Sequence, residues 1–195
     1  MIEAEGLALR HWSGWAADAD RLLERLLIET SWRQETITLF GRTHPLPRLT
    51  CWVADPGCTY RYSGLINTPE PWSPLLLELR DRLQTALGCD FNSLLLNHYR
   101  DGNDRMGWHA DDERELDPAA PIASISLGAR RSFRLKPKRL RRQEIPTAPI
   151  SLELDHGDLL VMDPPTQEHW LHELPTRRRV DRERINLTFR VIRLP

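Results

Sequence analysis

The chain has 195 residues and sets 27 basic against 28 acidic side chains, for a formal net charge of −1. That length suits a single core, and a near-neutral balance with an ordinary apolar share excludes bulk charge as the sign of a nucleic-acid binder or a membrane-surface protein, so any basic surface must be local. The first residues, MIEAEGLALRHW, lack a basic flank running into an apolar stretch, and nowhere do about 18 apolar residues follow one another, which argues against export and against a membrane span.

In chain order, the first element is a helix within SGWAADADRLLERLLIET. Trp15, Ala19, Leu22, Leu23, Leu26 and Leu27 recur at helical spacing and form one buried face. Residues 31 to 64 then carry β-rich segments broken by Gly and Pro, with aromatics at Phe40, Trp52, Tyr60 and Tyr62. A second helix follows in WSPLLLELRDRLQTALG, with Ser73 as N-cap, Pro74 in the first turn and Gly88 as the stop. After Gly88 the pattern is strands alone: SLLLNHY, RMGWHAD, IASISL, SFRLK, ISLEL, DLLVM, HWLHEL and RINLTFRVI, separated by turn sequences such as DGN and HGD. Short strands without intervening helices predict a jelly-roll sandwich or barrel. The expected class is α+β, mainly β, as one unit over 1–195. Residues 1–88 hold helices and loops, and 89–195 form the β core.

His109 and Asp111 stand two apart in GWHADDERELD, so on an extended strand both side chains leave one face and can share an ion. Alone, such a pair is more often an imidazole hydrogen-bonded to a carboxylate on a surface strand. A third ligand is offered by His169 or His172 in EHWLHEL. Their odd separation puts them on opposite faces of a regular strand, so only one can join. Two imidazoles and a carboxylate on one face leave positions open for substrate and oxygen, the arrangement of non-haem Fe(II) oxygenases, although zinc hydrolases use similar ligands.

RINLTFRVI alternates Ile185, Leu187, Phe189 and Val191 with Arg184, Asn186, Thr188 and Arg190. One face is apolar and the other carries two arginines, about 20 Å apart along an extended strand. A cationic edge strand that resists aggregation would look the same. Beside a metal triad, the pair instead suits a small dicarboxylate held by bidentate guanidinium bonds.

LLLNHYRDGNDRMGWHADDERELDPAAPIASISLGARRSF, LDHGDLLVMDPPTQEHWLHELP and RINLTFR together resemble the signature blocks of the AlkB family of Fe(II)- and 2-oxoglutarate-dependent nucleic-acid demethylases, closest to the subgroup typified by human homologues two and three. The resemblance implies a double-stranded β-helix core, with N-terminal helices and a nucleotide-recognition lid. It also implies Fe(II) held by His109, Asp111 and His172. Asn97, Tyr99, Arg184, Asn186 and Arg190 would hold 2-oxoglutarate, with Arg190 as the candidate for its distal carboxylate, and O2 would be consumed with it.

LFGR, LPR and TYRYSG resemble the lid. They imply Phe40 as an intercalating residue, Arg48 as a DNA contact and Tyr62 as the aromatic stacked on a flipped base, with Tyr60, Asp112 and Glu113 reading that base's polar edge. The implied activity is oxidative removal of N-methyl groups from bases such as 1-methyladenine and 3-methylcytosine, on DNA in preference to RNA. A same-fold dioxygenase acting on a protein side chain or small metabolite is the alternative, and a binding module with a vestigial metal site is a further rival. Isolated Cys51, Cys58 and Cys89 fit a reducing cytosol, and basic charge that is almost all arginine fits a GC-rich bacterial genome. A monomer is expected. KPKRLRR and the arginines at 177 to 179 read as loop charge that can meet phosphates.

Overall fold

The computed structural model describes residues 2–39, 41–58, 60–62, 65–138 and 149–194. In chain order the elements are β1 (Ile2–Ala4), β2 (Leu7–Trp12), α1 (Ala19–Glu29), β3 (Thr36–Leu39), β4 (Arg42–Pro45), β5 (Leu49–Ala54), β6 (Tyr60–Tyr62), β7 (Leu65–Asn67), α2 (Pro74–Leu87), β8 (Ser93–Tyr99), β9 (Met106–His109), β10 (Ile122–Gly128), β11 (Arg131–Pro137), β12 (Ile150–Leu154), β13 (Leu159–Asp163), the single turn α3 (Thr166–His169), β14 (Trp170–Leu174) and β15 (Arg184–Arg190).

A seven-stranded sheet runs β1-β2-β13-β10-β15-β8-β5, and a four-stranded sheet runs β12-β11-β14-β9. Every pairing within them is antiparallel. This is the predicted jelly roll. Hairpins β3-β4 and β6-β7 stand apart as two-stranded sheets.

The large sheet has two inequivalent faces because side chains alternate along each strand. Leu94 and Leu96 of β8, Ala123, Ile125 and Leu127 of β10, and Ile185, Leu187 and Phe189 of β15 form one apolar cluster with Leu22 and Leu26 of α1 and Leu76, Leu79 and Leu83 of α2. Each of these buried leucines contributes roughly 1.5–3 kcal/mol. The opposite face meets the small sheet through Leu7, Leu9, Leu160 and Met162 on one side and Phe133, Leu135, Leu154 and Trp170 on the other. On that face β8, β10 and β15 turn in Asn97, Tyr99, Ser124, Ser126, Arg184, Asn186 and Arg190, all buried. The arginine-bearing strand is therefore no edge: β15 lies between β10 and β8 and all seven of its residues are buried.

Helix α2 starts and stops where its sequence signals. Ser73 accepts from the amide of Leu76, Pro74 occupies the first turn, and Gly88 takes the left-handed conformation at φ 64°. Helix α1 is shorter than the apolar spacing predicts. Gly14 is left-handed at φ 61° with its amide donating to Asp158, and the Ala16 amide donates to the Gly157 carbonyl, which fixes residues 14–16 as a turn.

Two strands escape the sequence reading. Residues 2 to 12 form β1 and β2, and β2 pairs with β13 from Trp12↔Leu159 to Ala8↔Asp163. With β5 also in the large sheet, the N-terminal 88 residues contribute strands at both ends of it, so the division at residue 88 does not separate the β core from what precedes it.

Asp158 joins this N-terminal strand to the rest. Its carboxylate accepts from the amides of Gly14 and Asp155 and contacts His11 Nε2 at 2.9 Å. Burial alone would raise its pKa. The amide donors and His11 outweigh burial and hold the carboxyl below the ordinary carboxylate range. Asp158→Ala is expected to cost about 1.5–3 kcal/mol in urea unfolding, the worth of hydrogen bonds to a charged group. Because the folded pKa is depressed, the wild-type advantage over Asp158→Ala is present above about pH 4 and fades as pH falls through the folded pKa. An advantage unchanged from pH 7 to pH 3 would remove this role.

Candidate active site

Between the sheets, strands β9 and β14 pair His109 with His172 directly. Asp111, just past the end of β9, completes a group whose ligand atoms all lie within 4.8 Å of one another. The imidazole centroids are 4.1 Å apart. His109 Nδ1 is 2.8 Å from the Gly107 carbonyl, so it carries the proton and donates there. Its Nε2, 3.9 Å from Asp111 Oδ1, keeps the lone pair that a metal needs. Burial, aided by His109, pushes His172 down to about 3, so its ring is neutral at physiological pH. Burial would raise Asp111, but Arg190, His172 and His109 prevail and keep it below the ordinary carboxylate range. The result is a neutral His172 ring, the His109 ring and one carboxylate converging on one point, with Asp111 and His172 buried and His109 half-buried.

His169 is not part of this group. It ends α3 and lies half-buried beside Gly6, which settles the choice between the two histidines in favour of His172.

The second cluster lies deeper between the same sheets. Arg184, fully buried, pairs across the ladder with Tyr99, as Asn186 does with Asn97. Its Nη2 donates to Ser126 Oγ at 2.7 Å, while Nε and Nη1 are buried with no hydrogen-bond partner among the described residues. Burial pushes its pKa down to about 10. Leaving two donors of a cation unsatisfied is costly unless an acceptor arrives. Arg190, at the other end of β15, brings Nη2 to 3.5 Å from Asp111 Oδ1 and so stands at the metal end of the site. The expectation that Arg190 takes the distal carboxylate does not match this placement, because the guanidinium remote from the triad is that of Arg184.

Around the triad mouth, a cavity of about 230 Å³ is lined by residues including Arg48, Trp52, Glu70, His109, Asp111 and Glu113. Of the residues expected to meet substrate, Arg48 and Glu113 are here. Arg48 is buried, and its Nε donates to Asn97 Oδ1 at 2.7 Å. Asp112 does not line this cavity. It is exposed and paired with Lys138 at 2.6 Å, and it meets Glu113 instead in a neighbouring cavity that Asp111 and Arg190 also line. Tyr60 and Tyr62 lie on the β6-β7 hairpin. Phe40 and residues 139–142 of the basic stretch lie outside the described residues.

Three supporting residues were not legible in the sequence. Gln167 Oε1 accepts from the Asp111 amide and fixes the turn after β9. Ser126 orients Arg184. Arg131, fully buried, donates to the carbonyls of Asp101, Asp104 and Pro175, with its guanidinium 5.9 Å from the Tyr99 ring. Alternation on the interior face of β10 was the available signal for Ser126; the other two depend on distant backbone.

Residues 8–190 match the family model of the 2OG-Fe(II) oxygenase superfamily. DNA oxidative demethylase ALKBH2 of Mus musculus is 44% identical over 197 residues, covering 98% of this chain and 82% of the relative. The chain belongs to the 2OG-Fe(II) oxygenase superfamily, in the AlkB family. ALKBH2 of Homo sapiens is 42% identical over 199 residues, 99% of this chain and 76% of the relative. Alpha-ketoglutarate-dependent dioxygenase alkB homolog 3 of Rattus norvegicus is 38% identical over 179 residues, 90% of this chain and 60% of the relative. Among solved structures, that of OsALKBH1 matches in fold, with a TM-score of 0.61 at 18% identity, covering 98% of this chain and all of that one.

As an AlkB-family dioxygenase the chain uses Fe(II) and 2-oxoglutarate, and its residues fit both. The triad offers the neutral and anionic donors that suit iron, and the unpartnered donors of Arg184 are the acceptor-seeking groups that a carboxylate satisfies. Replacing His109, Asp111 or His172 by Ala is expected to weaken Fe(II) binding by more than about 100-fold, beyond the usual cost of losing an outer-shell partner. His169→Ala should bind iron as wild type does. Equilibrium dialysis with Fe(II) under anaerobic conditions distinguishes them, and normal iron binding by any of the first three variants contradicts the ligand set.

Proposed function

We propose that this chain repairs alkylated nucleic acid, acting on DNA in preference to RNA by oxidative demethylation of bases such as 1-methyladenine and 3-methylcytosine. The observation that carries the reading is the inter-sheet site, where the His109–Asp111–His172 triad opens on one side to the outer cavity and is followed on the other by two buried arginines. The names of the mouse and human relatives, DNA oxidative demethylases, support the substrate class.

Bound Fe(II), with 2-oxoglutarate and O2, supplies the oxidising power that hydroxylates an N-methyl carbon as succinate and carbon dioxide are formed. The residues of the chain do the rest. Arg184, backed by Ser126, neutralises the distal carboxylate, and Arg190 holds the end nearer Asp111 while Asn97, Tyr99 and Asn186 complete the wall. The sheets exclude water from this end. The hydroxymethyl group on nitrogen then leaves as formaldehyde, its hydroxyl proton passing to the base nitrogen through solvent.

The methylated bases carry positive charge at neutral pH. Glu113 gives the cavity wall an acidic group beside Trp52, an aromatic face, whereas Glu70 on the same wall is paired with Arg33 at 2.5 Å. Tyr60, Tyr62 and Phe40 are assigned to base clamping and strand intercalation on the strength of the family resemblance. Three free cysteines, two of them buried, support a reducing cytosol. A bacterial source and a monomeric state belong to the same reading. Among the described residues no helix is long and apolar enough to cross a membrane.

Formaldehyde release from oligonucleotides carrying 1-methyladenine or 3-methylcytosine tests the activity, and 2-oxoglutarate turnover without formaldehyde from any methylated oligonucleotide would move the substrate elsewhere. For the co-substrate, Arg184→Lys should raise the 2-oxoglutarate Kd about tenfold or more with iron binding intact, since an ammonium cannot reproduce the planar fork. Unchanged affinity in Arg184→Lys, with a loss in Arg190→Lys, returns the distal carboxylate to Arg190.

A further inference from the structure

Arg48 stands between the two compartments of the site. It lines the outer cavity, yet its Nε donates to Oδ1 of Asn97, whose side chain lines the inter-sheet pocket together with Tyr99, His109, Asn186 and Arg190. It also lies near enough to Tyr99 to favour that phenol's ionised form, against the dominant effect of burial. Both Arg48 and Asn97 are buried, at 8% and 3% exposure, which shields this bond from bulk water.

An asparagine amide is polar in one direction, accepting at its oxygen and donating at its nitrogen, whereas an arginine can only donate. The Arg48 bond therefore fixes which end of Asn97 faces which way. Oδ1 is committed to Arg48, and Nδ2, which no described residue accepts from, is left as a donor in the inter-sheet pocket. A donor is what an oxygen-rich dianion needs there. With Oδ1 turned inward it would repel the same ligand. The two strands that carry Asn97 and its neighbours are held in register by Thr50↔Asn97 on β5 and Asn186↔Asn97 on β15, so backbone movement cannot substitute for the amide's orientation.

We propose that Arg48 is a positioning residue for the co-substrate: by holding Asn97 Oδ1 it presents the amide donor to 2-oxoglutarate. The role assigned to Arg48 from the family resemblance, contact with DNA, predicts no effect in the absence of nucleic acid. The proposal rests on placing 2-oxoglutarate in the inter-sheet pocket. A guanidinium whose Nε serves the co-substrate while its Nη ends have no hydrogen-bond partner among the described residues also gives the outer cavity a physical link to 2-oxoglutarate affinity.

The test is calorimetric titration of the Fe(II)-loaded full chain with 2-oxoglutarate, anaerobically and without oligonucleotide, for wild type, Arg48→Met, Asn97→Ala and the double variant. Arg48→Met is expected to raise the Kd about tenfold, the scale of one well-placed hydrogen bond. Because Arg48 acts through Asn97, the same substitution in the Asn97→Ala background should change the Kd by less than about twofold. Arg48→Lys, which keeps a single donor, should recover part of the affinity in the Asn97 background, and it carries the comparison should Arg48→Met not fold. Wild-type affinity in Arg48→Met, or an equal loss whether or not Asn97 is present, overturns the proposal while leaving the co-substrate site standing. Failure of the wild-type chain to bind 2-oxoglutarate overturns the placement on which it rests.

Discussion

Two guanidinium groups turned into the space between the sheets set the terms for the rest of the molecule. A buried cation needs an anion or a full set of acceptors. Arg190 has Asp111 beside it, whereas Arg184 has Ser126 and two unsatisfied donors. The strand that carries them must then sit inside the large sheet, where β10 and β8 satisfy its backbone and leave its inward side chains to a ligand. The opposite face of the same strand supplies Ile185, Leu187 and Phe189 to the helix-covered core. Apolar burial on one side thus offsets the cost of holding two arginines in place on the other.

The metal end obeys the same electrostatics with the signs exchanged. Burial makes His172 neutral and would also neutralise Asp111, but Arg190 keeps that carboxylate ionised. One arginine therefore serves both compartments, holding the metal ligand in its charged form and standing at the entrance to the co-substrate pocket. A substitution at Arg190 touches both. Arg184 is the cleaner probe of the co-substrate, being six residues along a rigid strand from that junction.

The sequence made some of this legible because the signals were local. Ser73, Pro74 and Gly88 bracket α2 within one segment, and the alternation of RINLTFR reports two faces whatever the partner strands are. The histidine choice lay beyond strand parity, and the family resemblance supplied it. The β2 strand has little local signal because its six residues include Arg10, His11 and Trp12, a polar run whose partners for Arg10 and His11, Asp163 and Asp158, lie 153 and 147 residues away. The bond from Arg48 to Asn97 has no local signal, because the two lie 49 residues apart and meet only across the β5-β8 ladder. Asp112 and Glu113 are adjacent in sequence, but only Glu113 reaches the cavity beside Arg48, while Asp112 pairs with Lys138, 26 residues away in sequence. Contacts made by sheet topology leave no trace in local pattern.

The division of labour between elements follows from rigidity. The groups assigned to iron and 2-oxoglutarate come from β8, β9, β14 and β15, strands paired within the two sheets, or from the turn that Gln167 ties down after β9. The outer cavity shares Ser93, Leu95, Met106, His109, Asp111 and Arg190 with that framework, and the rest of its wall comes from the segments around residues 31–35 and 68–70, from the edge strand β5 and from the loop after Asp111. Loops and edge strands can change without disturbing a central ladder, so a fold of this kind can alter what enters the cavity while keeping the oxidising chemistry fixed. Arg48 breaks that separation. It precedes β5 at the sheet edge yet bonds to the interior of β8, so a change at the substrate wall there is transmitted to the co-substrate through one hydrogen bond.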